Sequence, residues 1–344
     1  MQNSFKKQVG KILQKIGLKK LGIKIDLKIN TYHRDFINYL RSIYIPIIVR
    51  KRLRKGLFAI NLDSDWLGLG ARIVATIELL MYAEENGLLL KMKYGYRRRG
   101  DDYNYYEDLF EDIIAEKGQE KNKQINYTSI RNVFELGLKK NYNKLLNCEL
   151  ANKLFNRHIR ITCNIMTEVD NFYNCHFKGC NVLALHYRGT DKVGEAPKVE
   201  LDFVYNFIVE TLDTSTIKFD KLFISSDEVS CIELFQKRKL PLEIISRDDI
   251  YRSSDGKQFH RDPSNNISVI NQEALINCLL LSKCNLLIKT ASILSDCCKI
   301  FNPDLPMIIL NEPHSSNLIW WPATELNKKY LYKIPEKPHT SLLQ

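Results

Sequence analysis

The stretch "NVLALHYRGTDKVGEA" at residues 181–196 decides how the rest of the chain is read. Its first half is an apolar run without helical period, the pattern of a strand buried on both faces of a parallel sheet. Its second half turns abruptly ionisable at His186, Arg188, Thr190, Asp191, Lys192 and Glu195. Ligands of open α/β sheets bind outside the carboxyl ends of the strands, so such a cluster at a strand exit marks a candidate site. The plain alternative is a salt-bridged loop closing the strand. That reading suits Asp191 and Lys192 better than Arg188, because a buried arginine needs a partner.

Outward from this stretch the same alternation repeats. Strands are expected at 181–187, 221–227, 242–246, 285–290 and 306–311, with helices at 201–212, 231–238, 271–284 and 293–301 between them. Apolar strands alternating with helices imply a parallel sheet covered on both faces. Upstream, "LFAINLD" (57–63), "GARIVATIELLMYAEENG" (70–87) and "LLLKMKY" (88–94) read as a second β-α-β unit, its helix closing on Gly87. The loop after its first strand carries Asp65, Gly68, Gly70 and, just beyond, Arg72. Small residues there let backbone approach a ligand or a neighbouring domain, and a simple tight turn is the plain reading of a lone G-x-G. "YGYRRRGDDYNYYEDLFED" (94–112) reads as an exposed polar and aromatic excursion, and 129–175 as two or three helices.

Four segments follow: a basic start at 1–56, an α/β domain at 57–178, a second, Rossmann-like domain at 179–311, and a tail at 312–344. That tail, with Trp320 and Trp321, is expected to cross back to the first domain. At 344 residues and 44% hydrophobic the chain is long enough for two cores.

Charge narrows the function classes. The net charge is +11, yet residues 1–56 hold 15 of the basic residues and 2 of the acidic ones, so the remainder carries a net −2. Phe5, Val9, Ile12, Leu13 and Ile16 recur at helical spacing among lysines, which describes a basic amphipathic helix. Such a helix suits either an anionic membrane surface or packing on its own domain. Direct nucleic-acid binding is disfavoured, since no recognised module accompanies the charge. No apolar run approaches the roughly 20 residues of a membrane span and no secretory pattern is present, so the expected location is cytoplasmic, with peripheral membrane contact as an option. The nine cysteines lack framework spacing and read as reduced core thiols.

The residue types at the strand exits suit a diphosphate. Arg188 offers a planar fork of donors, and Lys192 a second cation for charge growing on a departing phosphate. Asp191 can orient either cation, while His186 or Glu195 can exchange a proton with an attacking hydroxyl. A second strand ends in Ser225, Ser226 and Asp227, and a third in Thr290, Ala291 and Ser292 before a helix start that favours anions. Ordinary helix capping explains Thr290 and Ser292 equally well. Three strand ends aiming polar groups at one crevice carry more weight than any one of them.

At these residues the sequence resembles the GT-B fucosyltransferase superfamily, which contains the α1,6-fucosyltransferases of N-glycan cores and of nodulation factors. "HYRGTDKVGEA" keeps His186, Arg188, Asp191 and Lys192 of the family's His-x-Arg-Arg-x-Asp-Lys motif, and "ALINCLLLSKCNLLIKTAS" (274–292) is similar to its second motif. The resemblance implies two Rossmann-like α/β domains facing a central cleft. It also implies an inverting, metal-independent transfer of a sugar, L-fucose from GDP-fucose, to a hydroxyl of a glycan, lipid-linked saccharide or surface-polysaccharide precursor, with no cofactor beyond the nucleotide-sugar donor.

By the same resemblance Arg188, Asp191, Lys192 and Glu195 are the catalytic set. The donor would lie against His186, Arg188, Thr190, Ser225, Ser226, Asp227, Asn277, Thr290, Ala291 and Ser292, and the acceptor side would include Asp65, Gly68, Gly70 and Arg72. Four positions depart from the family. Its second arginine is Gly189, its base sits one residue closer as Glu195, its guanine-binding aspartate falls at Asn277, and its paired serines become Ser292 and Ile293. These departures keep open another donor such as a GDP-heptose, or a non-catalytic relative that binds nucleotide sugars.

Overall fold

The computed structural model of the protein describes residues 57–65, 67–96, 100, 102–111, 128–129, 145–189, 196–247, 252 and 265–314. The basic segment 1–56, the tail from 315 and residues 190–195 lie outside them.

Strands β1 (Leu57–Asn61) and β2 (Leu89–Lys93) run parallel, from Leu57 opposite Leu89 to Asn61 opposite Lys93. Helix α1 (Leu69–Glu85) connects them. It ends because Gly87 takes a left-handed φ of 58°, which lets Leu88 N donate to Ala83 O at 2.8 Å. A two-residue strand, β3 (Thr128–Ser129), pairs in parallel on the other side of β1, which the sequence pattern does not reveal. Helices α2 (Cys148–His158) and α3 (Cys163–His176) follow. Asn147 caps α2 by accepting from Leu150 N at 2.7 Å.

The second sheet is five-stranded and wholly parallel, in the order β6-β5-β4-β7-β8. It comprises β4 (Val182–Tyr187), β5 (Lys221–Ser226), β6 (Glu243–Ile245), β7 (Leu286–Lys289) and β8 (Met307–Ile309). Between them run α4 (Leu201–Thr214), α5 (Val229–Lys237), α6 (Ile267–Ser282) and two single turns, α7 (Ile293–Asp296) and α8 (Cys298–Phe301). The predicted helix over 293–301 is thus broken at Cys297. All six residues of β4 are buried, as its apolar run requires of a central parallel strand.

Alternation along β4 sorts its side chains. Leu183, Leu185 and Tyr187 join the cluster that holds Val204 and Ile208 of α4 and Phe235 of α5. Val182 and Ala184 join the larger cluster beneath α6 and α3. That larger cluster also contains Phe58, Leu80 and Met92, so one continuous apolar core unites both sheets. Leu275, Leu280 and Leu281 of α6 are fully buried in it, each contributing about 1.5–3 kcal/mol. Gly70 sits where the halves come closest. A side chain there would place its Cβ 2.6 Å from Leu294 N, so only glycine allows α1 and α7 to approach so nearly.

The aromatic segment after β2 departs from the expected exposed excursion. Tyr94, Tyr106 and Phe110 are fully buried, Tyr105 nearly so, and the rings of Tyr94 and Tyr106 meet edge to face at 5.2 Å. Of the segment's aromatics described, Tyr103 alone is exposed. The polar residues around these rings bond back onto the fold: Asn104 Oδ1 accepts from Tyr94 N at 3.1 Å and Tyr106 N at 3.2 Å.

Candidate functional site at the carboxyl ends of β4, β5 and β7

Strand order reverses at β4. The chain moves from β4 outward through β5 to β6, then returns to the other side of β4 as β7 and β8. The crevice outside β4 and β7 is therefore the topological switch point, where such sheets bind ligands. Registers bring the predicted groups to it: His186 stands opposite Ser225 on one side and Lys289 on the other.

The ends of β4 and β7 are tied through Thr290, which is fully buried. Thr290 N donates to His186 O at 3.0 Å, and Thr290 Oγ1 accepts from Arg188 N at 2.9 Å. The Thr290 hydroxyl thus shapes the turn after β4 rather than capping a helix. Ser292 is the residue before α7 and makes no side-chain cap, and α7 is a single turn whose dipole is correspondingly small. The expected anion-binding helix start is replaced by a turn held from below. Lys289, wholly buried, donates to Ser292 O at 2.9 Å and pairs with Asp296. Neither Lys289 nor Asp296 stands out in the sequence, because a lysine in an apolar strand reads as an edge residue until its partner is known.

On the other flank Asp227, at the exit of β5, accepts from Gly189 N at 3.2 Å and lies 3.8 Å from Arg188 Nε. Arg188 keeps about a fifth of its side chain exposed, so its guanidinium is held yet reachable. Gly189 has no side chain to fill the space beside it, and the Glu228 carboxylate lies there: a Cβ at 189 would fall 2.1 Å from Glu228 Oε1. Lys198 Nζ approaches that carboxylate at 3.6 Å. Ser226 Oγ accepts from Glu228 N at 3.0 Å and so fixes the turn out of β5, while Ser225 is buried beside His186.

His186 is 6% exposed. Burial, then the Lys289 and Arg188 charges, push its pKa down to about 3, so it is neutral at physiological pH and a weak proton acceptor. Its Nδ1 has no hydrogen-bond partner among the described residues, and neither has Oδ1 of the buried Asn277 on α6. Buried polar atoms are normally satisfied; two orphans on predicted donor-site residues are places for a ligand to bond.

Of the remaining predicted residues, Thr190, Asp191, Lys192 and Glu195 lie outside the described ones. Ala291 is placed at the crevice, its amide donating to Asn311 Oδ1 at 2.7 Å. Asn311 was not legible as a site residue. Asp65 and the exposed Gly68 lie in the loop leaving β1. Gly70 and Arg72 are turned to the protein's own backbone. Gly70 is the contact with α7, and Arg72, fully buried, donates to the carbonyls of Leu67 at 3.0 Å, Ser64 at 2.7 Å, Gly95 at 3.2 Å and Leu62. Its guanidinium also stacks 4.2 Å from the Tyr96 ring centroid. It shapes the β1 loop and is spent in doing so.

Two parallel α/β units that share an apolar core, with Arg188 and Asp227 at the switch point of the second sheet, have the architecture of the GT-B class. The profile of the nodulation protein Z (NodZ) family matches residues 144–319, just over half of the chain. The chain belongs to that family and is a glycosyltransferase. Among solved structures, a NodZ α1,6-fucosyltransferase soaked with GDP-fucose aligns with 74% of this chain and 94% of its own at 15% identity and a TM-score of 0.50. One co-crystallised with GDP aligns with 75% and 96% at 16% identity and a TM-score of 0.50. Fucosyltransferase NodZ from Bradyrhizobium covers 72% and 93% at 14% identity and a TM-score of 0.49. The first two show that the fold is GT-B. No curated protein matches the chain.

Proposed function

We propose that the protein transfers L-fucose from GDP-fucose to a hydroxyl of a glycan or surface-polysaccharide precursor, with inversion and without a metal. The carrying observation is Arg188, which lies 3.8 Å from Asp227 at the carboxyl end of β4 with about a fifth of its side chain exposed, beside His186, whose buried Nδ1 has no partner among the described residues. Arg188 would meet the diphosphate of the nucleotide, and His186 and Asn277 its base. Membership of the NodZ family supports the donor, as do relatives solved with GDP-fucose and GDP.

In a single displacement the acceptor oxygen bonds to the anomeric carbon as the bond to the diphosphate oxygen breaks. The acceptor proton passes to a base and the diphosphate leaves with added negative charge. Arg188 and Lys192, four residues further along the chain, stabilise that charge where it grows. Glu195 is the base the sequence offers, since a histidine with a pKa near 3 has little proton affinity to contribute. The basic segment 1–56 would hold the enzyme at the anionic inner face of a membrane, close to a lipid-linked acceptor.

A second reading keeps the fold and takes another GDP-sugar, such as a GDP-heptose, because the family's second arginine is Gly189 here and the Glu228 carboxylate lies beside it. Thermal shifts with GDP, GDP-fucose, UDP and CDP at matched concentration test the reading. A ligand at about 100 times its Kd stabilises the fold by roughly 2.7 kcal/mol. Stabilisation by GDP and GDP-fucose alone supports it; stabilisation by UDP or CDP instead removes the fucosyl assignment. Transfer that persists in EDTA supports the metal-free route.

A further inference from the structure

Asn311, just past β8, is 4% exposed and uses both ends of its amide. Its Oδ1 accepts from Ala291 N at 2.7 Å, and its Nδ2 donates to Pro197 O at 2.7 Å. Asparagine is the short side chain that can accept from an amide and donate to a carbonyl at once; aspartate can only accept when ionised, and leucine does neither. The two groups it joins belong to different parts of the crevice. Ala291 is in the turn after β7, and Pro197 is the second described residue after the segment that begins beyond Gly189.

The opposite flank of that segment is fixed by the same turn, since Arg188 N donates to Thr290 Oγ1 at 2.9 Å and Thr290 N to His186 O at 3.0 Å. Neighbouring residues Thr290 and Ala291 therefore hold both flanks, one directly and the other through Asn311. A separate bond, from Tyr187 Oη to Val199 O at 2.8 Å, secures the chain two residues later on the opposite face of the sheet. Loss of the Asn311 bond to Pro197 would thus be a local event. The position of Asn311 is itself set by the sheet, because Leu310 N donates to Lys289 O at 2.8 Å.

We propose that Asn311 is a positioning residue of the transferase. It fixes the spacing between the Ala291 amide, on the donor side, and the Pro197 carbonyl, and through these the geometry in which Arg188 meets the diphosphate. This rests on the donor reading above. It is separable from that reading because the two bonds of Asn311 can be removed one at a time.

Asn311→Asp keeps the acceptor for Ala291 N and withdraws the donor from Pro197 O; Asn311→Ala withdraws both. The expected result is that Asn311→Asp binds GDP within twofold of wild type in calorimetry while kcat falls at least tenfold. Asn311→Ala should lose GDP affinity and kcat together. Hydrogen exchange, which needs no substrate, should show Ala291 protected in Asn311→Asp and exposed in Asn311→Ala. The proposal is overturned if both variants keep wild-type kcat, if the two lose GDP affinity equally, or if Ala291 exchanges alike in both. Should wild type bind no GDP-sugar, the donor reading fails, and the exchange pattern alone decides whether Asn311 holds the Ala291 amide.

Discussion

Asp227 holds the turn after β4 from both sides: its carboxylate accepts the Gly189 amide at 3.2 Å and lies 3.8 Å from Arg188 Nε. Arg188 is thereby aimed without being sealed. Arg188→Ala should lower kcat/KM for transfer at least a hundredfold, because it removes charge stabilisation that matters most as the diphosphate departs. Its partly exposed ion pair is worth no more than about 1 kcal/mol of stability, so melting should move by only a few degrees. A GDP-release assay beside a melting curve checks both, and near wild-type turnover would remove Arg188 from the site.

Lys289 and Asp296 form a buried pair beneath the Thr290–Ser292 turn. Asp296→Ala should destabilise the protein by about 3–5 kcal/mol, the usual consequence of leaving one buried charge alone. Replacing both, with Lys289→Met and Asp296→Leu, should recover much of that in urea unfolding. The double variant still lacks the bond from Lys289 to Ser292 O, so turnover should stay low after stability returns. Full recovery of turnover would show that the pair does not shape the turn.

Gly68 and Gly70 look alike in sequence and differ in surroundings. A Cβ at Gly68 meets nothing within 4 Å among the described residues, whereas one at Gly70 meets the Ile293–Leu294 backbone at 2.6–2.8 Å. Gly70→Ala should destabilise by about 1–3 kcal/mol or more, since backbone must move to admit it. Gly68→Ser should be neutral or slightly stabilising, as serine can cap α1 where no side chain now does. Equal effects in denaturant titrations would contradict the close approach of α1 and α7.

His186 carries the acid sensitivity of the crevice. Its pKa falls from 6.5 to about 3 on folding, so between those values the unfolded chain binds a proton that the folded chain refuses. Stability is therefore intact above pH 6.5 and is lost as pH falls toward 3, at up to about 1.4 kcal/mol per pH unit. His186→Gln should flatten the curve by about one proton between pH 6 and 4. Parallel wild-type and variant curves would show that the imidazole is not buried as described.

Much of the second domain was legible because its strands are short apolar runs and its helices are bounded by breakers. Val182–Tyr187 and Leu286–Lys289 are found within a residue or so of their predicted limits. The gathering of His186, Ser225 and Thr290 was expected from their places at the carboxyl ends of parallel strands, while the strand order that makes them neighbours was not. Other features were not legible, for identifiable reasons. Two residues of β3 are too few to carry a period. The tyrosines after β2 were read as exposed because polar residues separate them, but Asn104 satisfies the backbone there and lets the rings turn inward. The sequence pattern sets Arg72 on the acceptor side, while in the fold four carbonyls of the β1 loop and β2 exit claim it.

The sequence by itself determined the parallel α/β order and the carboxyl-end placement of Arg188, Asp227 and Thr290, because both depend on hydrophobic period and chain direction, which are local. Only the tertiary structure decided which polar groups work on each other. The pairing of Lys289 with Asp296, the approach of Gly70 to Leu294 and the bridge from Ala291 through Asn311 to Pro197 join residues whose partners are set by packing. A buried charge or amide is stable only where the fold brings it a matching group, and that match is a property of the assembled core.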